Sequence, residues 1–300
     1  MKVCVIGSSG QLGLHLYNKF KDDKKYFFFS SSLMKRPFLK GDLTKPNKLI
    51  ILLKKIKPSV VINCSAYTNV DKAELEKKKT NSINFKGVEI LSNYCFENNV
   101  FLIHFSTDYV YSGKGKLAWK ETSACNPSNY YGLSKLKGEK SIVESKCKFI
   151  ILRLSWLYGK YGSENFIVKI IKLAKLKKKL FMVQDQYGSP TSTDLVIIIL
   201  KKVLINIRKN KFKSGIYNLC PSQYTSRYQL SRYIFNRYFD KTFSKNLKIR
   251  KINTKDLNLV ANRPLNSRMN TYKISKFLDV EVKSWKFYLN KYLYYIKGKV

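Results

Sequence analysis

The sequence predicts an α/β fold built on a doubly wound parallel sheet, and three observations carry that expectation. Continuous apolar runs recur at 2–6, 26–29, 60–64, 101–105 and 149–154, as strands buried on both faces require. Stretches of helical periodicity separate them, giving the alternation of a βα architecture. A glycine turn, Gly7-Ser8-Ser9-Gly10-Gln11-Leu12-Gly13, joins the first run to the first helix.

The first run enters that turn directly, and Leu12, Leu16 and Phe20 then recur at helical spacing. Gly41-Asp42-Leu43-Thr44-Lys45-Pro46 opens another βα unit, with Thr44 as N-cap and Pro46 in the first turn. A helix over 49–56 follows and closes before Pro58. The βα rhythm weakens after Trp156, where Gly159, Gly162, Gly188 and Pro190 punctuate loops and mixed helices. The expected division is a dinucleotide-binding domain over 1–156, with some later segments returning to it, and a smaller C-terminal substrate-binding region over 157–300. An amphipathic helix rich in Tyr is expected over 282–296.

Length and composition set bounds. Three hundred residues with 44% hydrophobic and 14% aromatic content allow a sizeable core. The apolar run 195–200 stops at Lys201 and Lys202, far short of a membrane span. No charged-then-apolar leader precedes the first strand, so residence in the cytoplasm is expected. Six scattered cysteines without a C-x-x-C pair, and only His15 and His104, give no zinc spacing. The net charge of +39 is spread over every region, whereas a nucleic-acid binder concentrates charge and interleaves stacking aromatics. Biased codon usage accounts for the excess, although it would also steer anionic substrates. No specific nucleic-acid partner and no membrane partner are expected.

The glycine turn follows a strand and precedes a helix, the context of a Rossmann-type dinucleotide site. Gly7 permits the tight turn, Gly10 lets backbone approach a pyrophosphate, and Gly13 permits close packing. The helix N-terminus then faces the phosphates. Nothing acidic lies between Tyr26 and Gly41 to bind a ribose 2′-hydroxyl; Lys35 and Arg36 stand there instead. A 2′-phosphate suits them, so the expected cofactor is NADPH, with NADH left open.

Tyr131-Gly132-Leu133-Ser134-Lys135 places a phenol and an ammonium four residues apart on one helix face. A free phenol has a pKa near ~10, and a neighbouring cation moves it toward neutrality. That is equipment for giving a proton to a reduced carbonyl. Ser106-Thr107-Asp108 ends a parallel strand, where such sheets bind ligands. Thr107 is the expected hydrogen-bond donor to the carbonyl oxygen, with Ser106 as its competitor. Asp108 is expected to reach a sugar or to cap a turn.

These segments occur together with 63–74, Arg153-Leu154-Ser155-Trp156-Leu157-Tyr158, Asp185-Gln186-Tyr187-Gly188-Ser189-Pro190-Thr191 and Arg263-Pro264 with Asn266-Ser267-Arg268. In that order they resemble the dTDP-4-dehydrorhamnose reductase family of extended short-chain dehydrogenases/reductases, over nearly the whole chain. The resemblance implies hydride transfer to C4 of dTDP-6-deoxy-L-lyxo-4-hexulose, giving dTDP-L-rhamnose for polysaccharide synthesis. It implies a triad of Thr107, Tyr131 and Lys135, with Lys135 lowering the Tyr131 pKa and holding the nicotinamide ribose. Gly10, Gln11 and Leu12 would line the pyrophosphate, Asp42 and Leu43 the adenine, and Ala66, Tyr67 and Thr68 the nicotinamide ribose. Trp156 would pack on the deoxysugar. The family commonly has His at Tyr67, and members with a magnesium-linked dimer carry Glu at His15. Asp194 keeps an acid near a second candidate position, but the cluster is broken, so magnesium is not expected; a homodimer stays open. Two alternatives remain: another nucleotide-sugar 4-keto reductase, or a non-catalytic subunit resembling the methionine adenosyltransferase β subunit.

Overall fold

The computed structural model describes residues 1–31, 38–161 and 165–300, apart from the side chains of Ser244 and Lys245. Seven parallel strands form the main sheet: β1 (Val3–Ile6), β2 (Tyr26–Ser30), β3 (Leu39–Lys40), β4 (Val60–Asn63), β5 (Phe101–Thr107), β6 (Phe149–Leu154) and, much later, the strand Gly215–Leu219. Between these last two lie β7 (Lys179–Val183) and β8 (Tyr187–Gly188), so Gly215–Leu219 is β9; β10 (Thr225–Ser226), β11 (Lys248–Ile252) and β12 (Asn266–Ser267) follow. The order across the main sheet is β3-β2-β1-β4-β5-β6-β9. The chain winds outward from β1, then crosses back to β4, so its direction reverses between those two strands. Ligands bind outside the carboxyl ends of strands at such a switch point.

Strand periodicity explains why the apolar runs are unbroken. Val3 and Val5 of β1 enter one core while Cys4 and Ile6 enter the opposite one. The helices preceding β6 are α1 (Gln11–Phe20), α2 (Pro46–Ile56), α3 (Val70–Leu75), α4 (Lys77–Asn81), α5 (Gly87–Glu97) and α6 (Tyr130–Glu144). After it come α7 (Phe166–Leu176), α8 (Thr193–Arg208), α9 (Arg227–Tyr238), α10 (Lys241–Asn246), α11 (Tyr272–Leu278) and α12 (Trp285–Ile296). Leu12, Leu14 and Leu16 of α1 share a core with Leu195, Val196, Ile199 and Leu200 of α8 and with Ile274 of α11. Leu49 and Leu53 of α2, Val88 and Leu91 of α5 and Ile142 of α6 cover the other face. A further core joins α7, β7, α9 and α12, where Tyr292 of the C-terminal helix is buried.

Two local expectations change. Lys45, not Thr44, occupies the N-cap of α2 and makes no side-chain cap; the Asp42 carboxylate takes the Thr44 N–H at 2.8 Å and closes the turn instead. Pro46 begins the helix as expected, and Lys57 ends it in the left-handed region at φ 53°. Between α4 and α5 the chain makes a π-helical turn over Ser82–Lys86, which sequence periodicity does not reveal.

Candidate active site

A cavity of about 530 Å³ opens at the switch point. Gly10, Gln11 and Leu12 line one wall, and Cys64, Ala66 and Thr68 continue it. Ser106, Thr107 and Asp108 from the end of β5, with Tyr131 and Lys135 from α6, form the opposite wall. Trp156, Asn165 and Arg227 close the C-terminal side.

The glycine turn is built for an anionic ligand. Gly7 has φ +80°, and a Cβ there would lie 2.6 Å from the Ser65 nitrogen; one on Gly13 would lie 2.1 Å from the Gly7 oxygen. Gly10 differs, because its Cβ would meet only the Gly7 oxygen, at 3.4 Å. Packing within the protein therefore scarcely requires glycine at 10, and the requirement points to whatever fills the cavity. No side chain caps the N-terminus of α1 and no acid lies in its first turn, leaving N–H groups for phosphate oxygens. The site fits a dinucleotide.

On the opposite wall, α6 is pressed against the turn after β5. A Cβ on Gly132 would sit 2.2 Å from the Tyr109 oxygen, so only glycine lets the helix approach this closely. Asn129 caps the helix through the Gly132 N–H at 2.8 Å, and Glu74 accepts the Tyr130 N–H at 2.7 Å. Tyr131 is thereby held beside Thr107. Burial pushes the Tyr131 phenol above its ordinary pKa, while a hydrogen bond with Thr107 works the other way. The Thr107 hydroxyl also donates to Asp108 Oδ1 at 3.1 Å. Burial raises the Asp108 carboxyl to about 6, and its Oδ2 is buried without a partner. Ser106 Oγ is likewise buried and unpartnered, although it too lines the cavity.

Lys135 is anchored on the sheet. Its Nζ turns toward β5, donating to the Phe105 carbonyl at 2.7 Å and meeting His104 Nε2 at 3.0 Å. The cause is the carbonyl and imidazole that β5 offers at the foot of the helix. With 1% of its surface exposed, Lys135 is lowered by burial to about 8, with Glu139 opposing.

Sequence reasoning missed several groups that hold this wall. Arg153 of β6 donates Nε to Glu139 Oε1 at 2.9 Å and Nη2 to Oε2 at 2.5 Å, with both side chains buried. Its Nη1 reaches the Tyr111 hydroxyl at 2.8 Å, which donates to Asn218 of β9 at 2.9 Å. This chain of bonds fixes α6 to the sheet one turn beyond Lys135. Asn84, in the π-helical turn, binds both backbone polar groups of Tyr67, at 2.8 and 3.0 Å, and the Ser134 hydroxyl at 3.0 Å. It thus ties the two walls together.

On the C-terminal side the Arg227 guanidinium lies 3.6 Å from the Trp156 ring centre and 4.6 Å from that of Phe166. Among the described residues no carboxylate pairs with it. Burial lowers it to about 10. A capping box between Ser226 and Gln229 makes its backbone position rigid. Trp156 itself has φ 47°, a strained value for a bulky residue.

A family model described as the RmlD substrate binding domain matches residues 1–297. The chain is 32% identical over 286 residues to the dTDP-4-dehydrorhamnose reductase of Aggregatibacter actinomycetemcomitans, covering 95% of each. The chain belongs to the dTDP-4-dehydrorhamnose reductase family. The enzyme of that name from Escherichia coli strain K12 is 31% identical, across 95% of this chain and 94% of the relative. A crystal structure of the Bacillus anthracis dTDP-4-dehydrorhamnose reductase in complex with NADP matches with a TM-score of 0.86. It is 28% identical and covers 98% of this chain and 99% of that one.

Of the positions that family resemblance implicates, Gly10, Gln11, Leu12, Ala66, Thr68, Thr107, Asp108, Tyr131, Lys135 and Trp156 all line the cavity. Tyr67 does not: Asn84 holds its backbone, and its ring sits 5.5 Å from the Lys79 ammonium, outside the cavity wall. Leu43 is 2% exposed and packs in the core under α2 and α5. Lys35 and Arg36 lie outside the described residues. His15 donates or accepts at Thr193 over 2.8 Å and sits 3.5 Å from Asp194, which Lys160 also approaches at 3.4 Å. Among the described residues no three metal-ligating side chains gather, and no helix is long and apolar enough to cross a membrane.

Proposed function

We propose that the chain reduces the C4 keto group of dTDP-6-deoxy-L-lyxo-4-hexulose with NADPH, forming dTDP-L-rhamnose. One observation carries the reading: a single cavity joins an uncapped helix N-terminus behind a glycine turn to Thr107, Tyr131 and Lys135. The relatives' names supply the substrate, and the Bacillus anthracis structure's NADP supplies the cofactor.

When bound, the nicotinamide supplies a hydride. Gly10, Gln11 and Leu12 would hold the pyrophosphate at the start of α1, with Ala66 and Thr68 along the adjoining ribose. Lys35 and Arg36, following β2, would meet a 2′-phosphate, and Asp42 and Leu43 would lie by the adenine. Thr107 would hold the C4 oxygen by its hydroxyl and Tyr131 would give that oxygen its proton. Burial keeps Tyr131 protonated until negative charge develops on the neighbouring oxygen. Asp108 and Trp156 would contact the sugar. Residues 1–156 would chiefly serve the cofactor and 157–300 the substrate, in the cytoplasm.

The test is NADPH oxidation with enzymatically generated dTDP-6-deoxy-L-lyxo-4-hexulose, the product being identified by NMR. Tyr131→Phe should lower kcat by at least about 100-fold while leaving the NADPH Kd unchanged. No oxidation by the native chain, despite measurable NADPH binding, would overturn the reading.

A further inference from the structure

His104 is fully buried in β5 and plays no part in the mechanism above. Its hydrogen bonds determine where its proton sits. The Asn63 side chain is oriented by the Ser65 N–H, which donates to Oδ1 at 3.0 Å. That leaves Asn63 Nδ2, a donor, facing His104 Nδ1 at 3.1 Å. Nδ1 must therefore accept, and a neutral imidazole then carries its hydrogen on Nε2. Nε2 faces Lys135 Nζ at 3.0 Å. An ammonium has three donors and no lone pair, whereas an amine can accept this N–H and still donate to the Phe105 carbonyl. Charging Lys135 would demand the other imidazole tautomer, whose Nδ1–H would point at the Asn63 amide hydrogens. Turning that amide over would strand the Ser65 N–H.

We propose that Asn63 and His104 are positioning residues that aim an N–H at Lys135, select its uncharged amine, and so set the pH range over which the reductase works. The inference rests on the reading of Tyr131 and Lys135 as the reacting pair. Burial holds the imidazole neutral. From its own helix Lys135 faces Tyr131 and Glu139, and Arg153 of β6 pairs with the latter. Asp108 and Tyr109 stand beyond the end of β5, and burial raises both. Cys64 follows β4, with its thiol pushed up by burial. The remaining charges on elements against α6 are Asp71, Lys72 and Glu74 of α3, Lys77, Lys78 and Lys79 of α4, and Lys86, Glu89 and Glu97 at or beside α5. They are half-buried or exposed, and none is among the charges that act on Lys135.

The chain has only two histidines, which makes the tautomer readable by long-range ¹H–¹⁵N NMR with His15→Gln assigning the pair. Above the Lys135 midpoint the expected result is a neutral His104 with its hydrogen on Nε2; an Nδ1–H tautomer there, or a protonated ring at pH 7, would overturn the proposal. The second arm is the Lys135 titration in protein labelled with ¹³Cε-lysine, the signal being assigned by its loss in Lys135→Met. Asn63→Asp lets the imidazole hydrogen move to Nδ1 and offers Nε2 to an ammonium, and should raise the Lys135 midpoint by about one pH unit or more. The corresponding limb of the kcat profile should move with it. Should Asn63→Asp not fold, His104→Gln presents an amide oxygen to Nζ and should shift the midpoint the same way. An unmoved midpoint would show a merely structural role and overturn the proposal. Both NMR arms stand without turnover, so they remain decisive even if the proposed substrate is wrong.

Discussion

Replacing Lys135 by Met should abolish turnover and yet stabilise the protein at neutral pH. Burial lowers the Lys135 pKa from an ordinary 10.5 to about 8. At roughly 1.4 kcal/mol per unit, holding the ammonium in the folded state costs about 3 kcal/mol. Below about pH 8 both states carry the proton and this cost is present in full. Between there and 10.5 the unfolded chain binds the proton and the folded chain does not, so native stability rises with pH. Methionine matches the length of the side chain without the charge, but it forfeits the bonds to Phe105 and His104, worth roughly 1 kcal/mol each. The variant should therefore be more stable than the native chain by about 1 kcal/mol at pH 7 and less stable by about 2 kcal/mol above pH 10. Urea unfolding of both proteins at half-unit pH steps measures the difference directly. A difference that stays constant with pH would refute the reasoning, because it would mean Lys135 titrates alike in the folded and unfolded chains.

Four further outcomes follow from the site. Gly10→Ala should leave thermal stability within about 0.5 kcal/mol of native but weaken NADPH at least about tenfold, measured by fluorescence titration. Gly13→Ala should instead destabilise the fold, since its Cβ would collide with the Gly7 carbonyl. Glu139→Gln strands the buried Arg153 guanidinium and should cost about 3–5 kcal/mol in urea unfolding; a loss below about 1 kcal/mol would contradict the pairing. Arg227→Met removes the buried cation that closes the C-terminal side of the cavity and should raise the KM for the nucleotide sugar about tenfold, with the NADPH Kd unmoved. A change in NADPH affinity of the same size would place Arg227 on the cofactor side.

Much of this architecture is readable from residue order. The strands of the first half are continuous apolar runs because helices cover both faces, and the glycine turn announces itself by spacing alone. Thr107 and Tyr131 are likewise legible, one at a strand end and the other at a helix start. What hides is long-range partnership. Lys135 lies four residues from Tyr131, yet its Nζ follows the Phe105 carbonyl on β5, which helix geometry cannot foresee. His104 and Arg153 did leave a signal: each is an ionisable residue inside an otherwise apolar strand, and such a residue needs a buried partner. Glu139 and Asn63 are those partners. Arg227 left none, since a single Arg in a chain with 58 basic residues looks like surface charge until its ring contacts are known.

The position of β9 and α8 bears on how the chain comes off the ribosome. When Trp156 has emerged, all strands of the dinucleotide half exist except the one that pairs with β6, whose edge stays open until Leu219 is made. The apolar flank of α1 also waits for α8 to cover it. The nascent half-protein therefore presents a bare strand edge and a greasy helix face together, a combination prone to self-association. Productive folding is a race between synthesis of the next stretch of chain and capture of that edge by another copy. Slowing translation after Trp156 should shift the yield from soluble protein toward aggregate, whereas the same pause after Leu219 should be harmless.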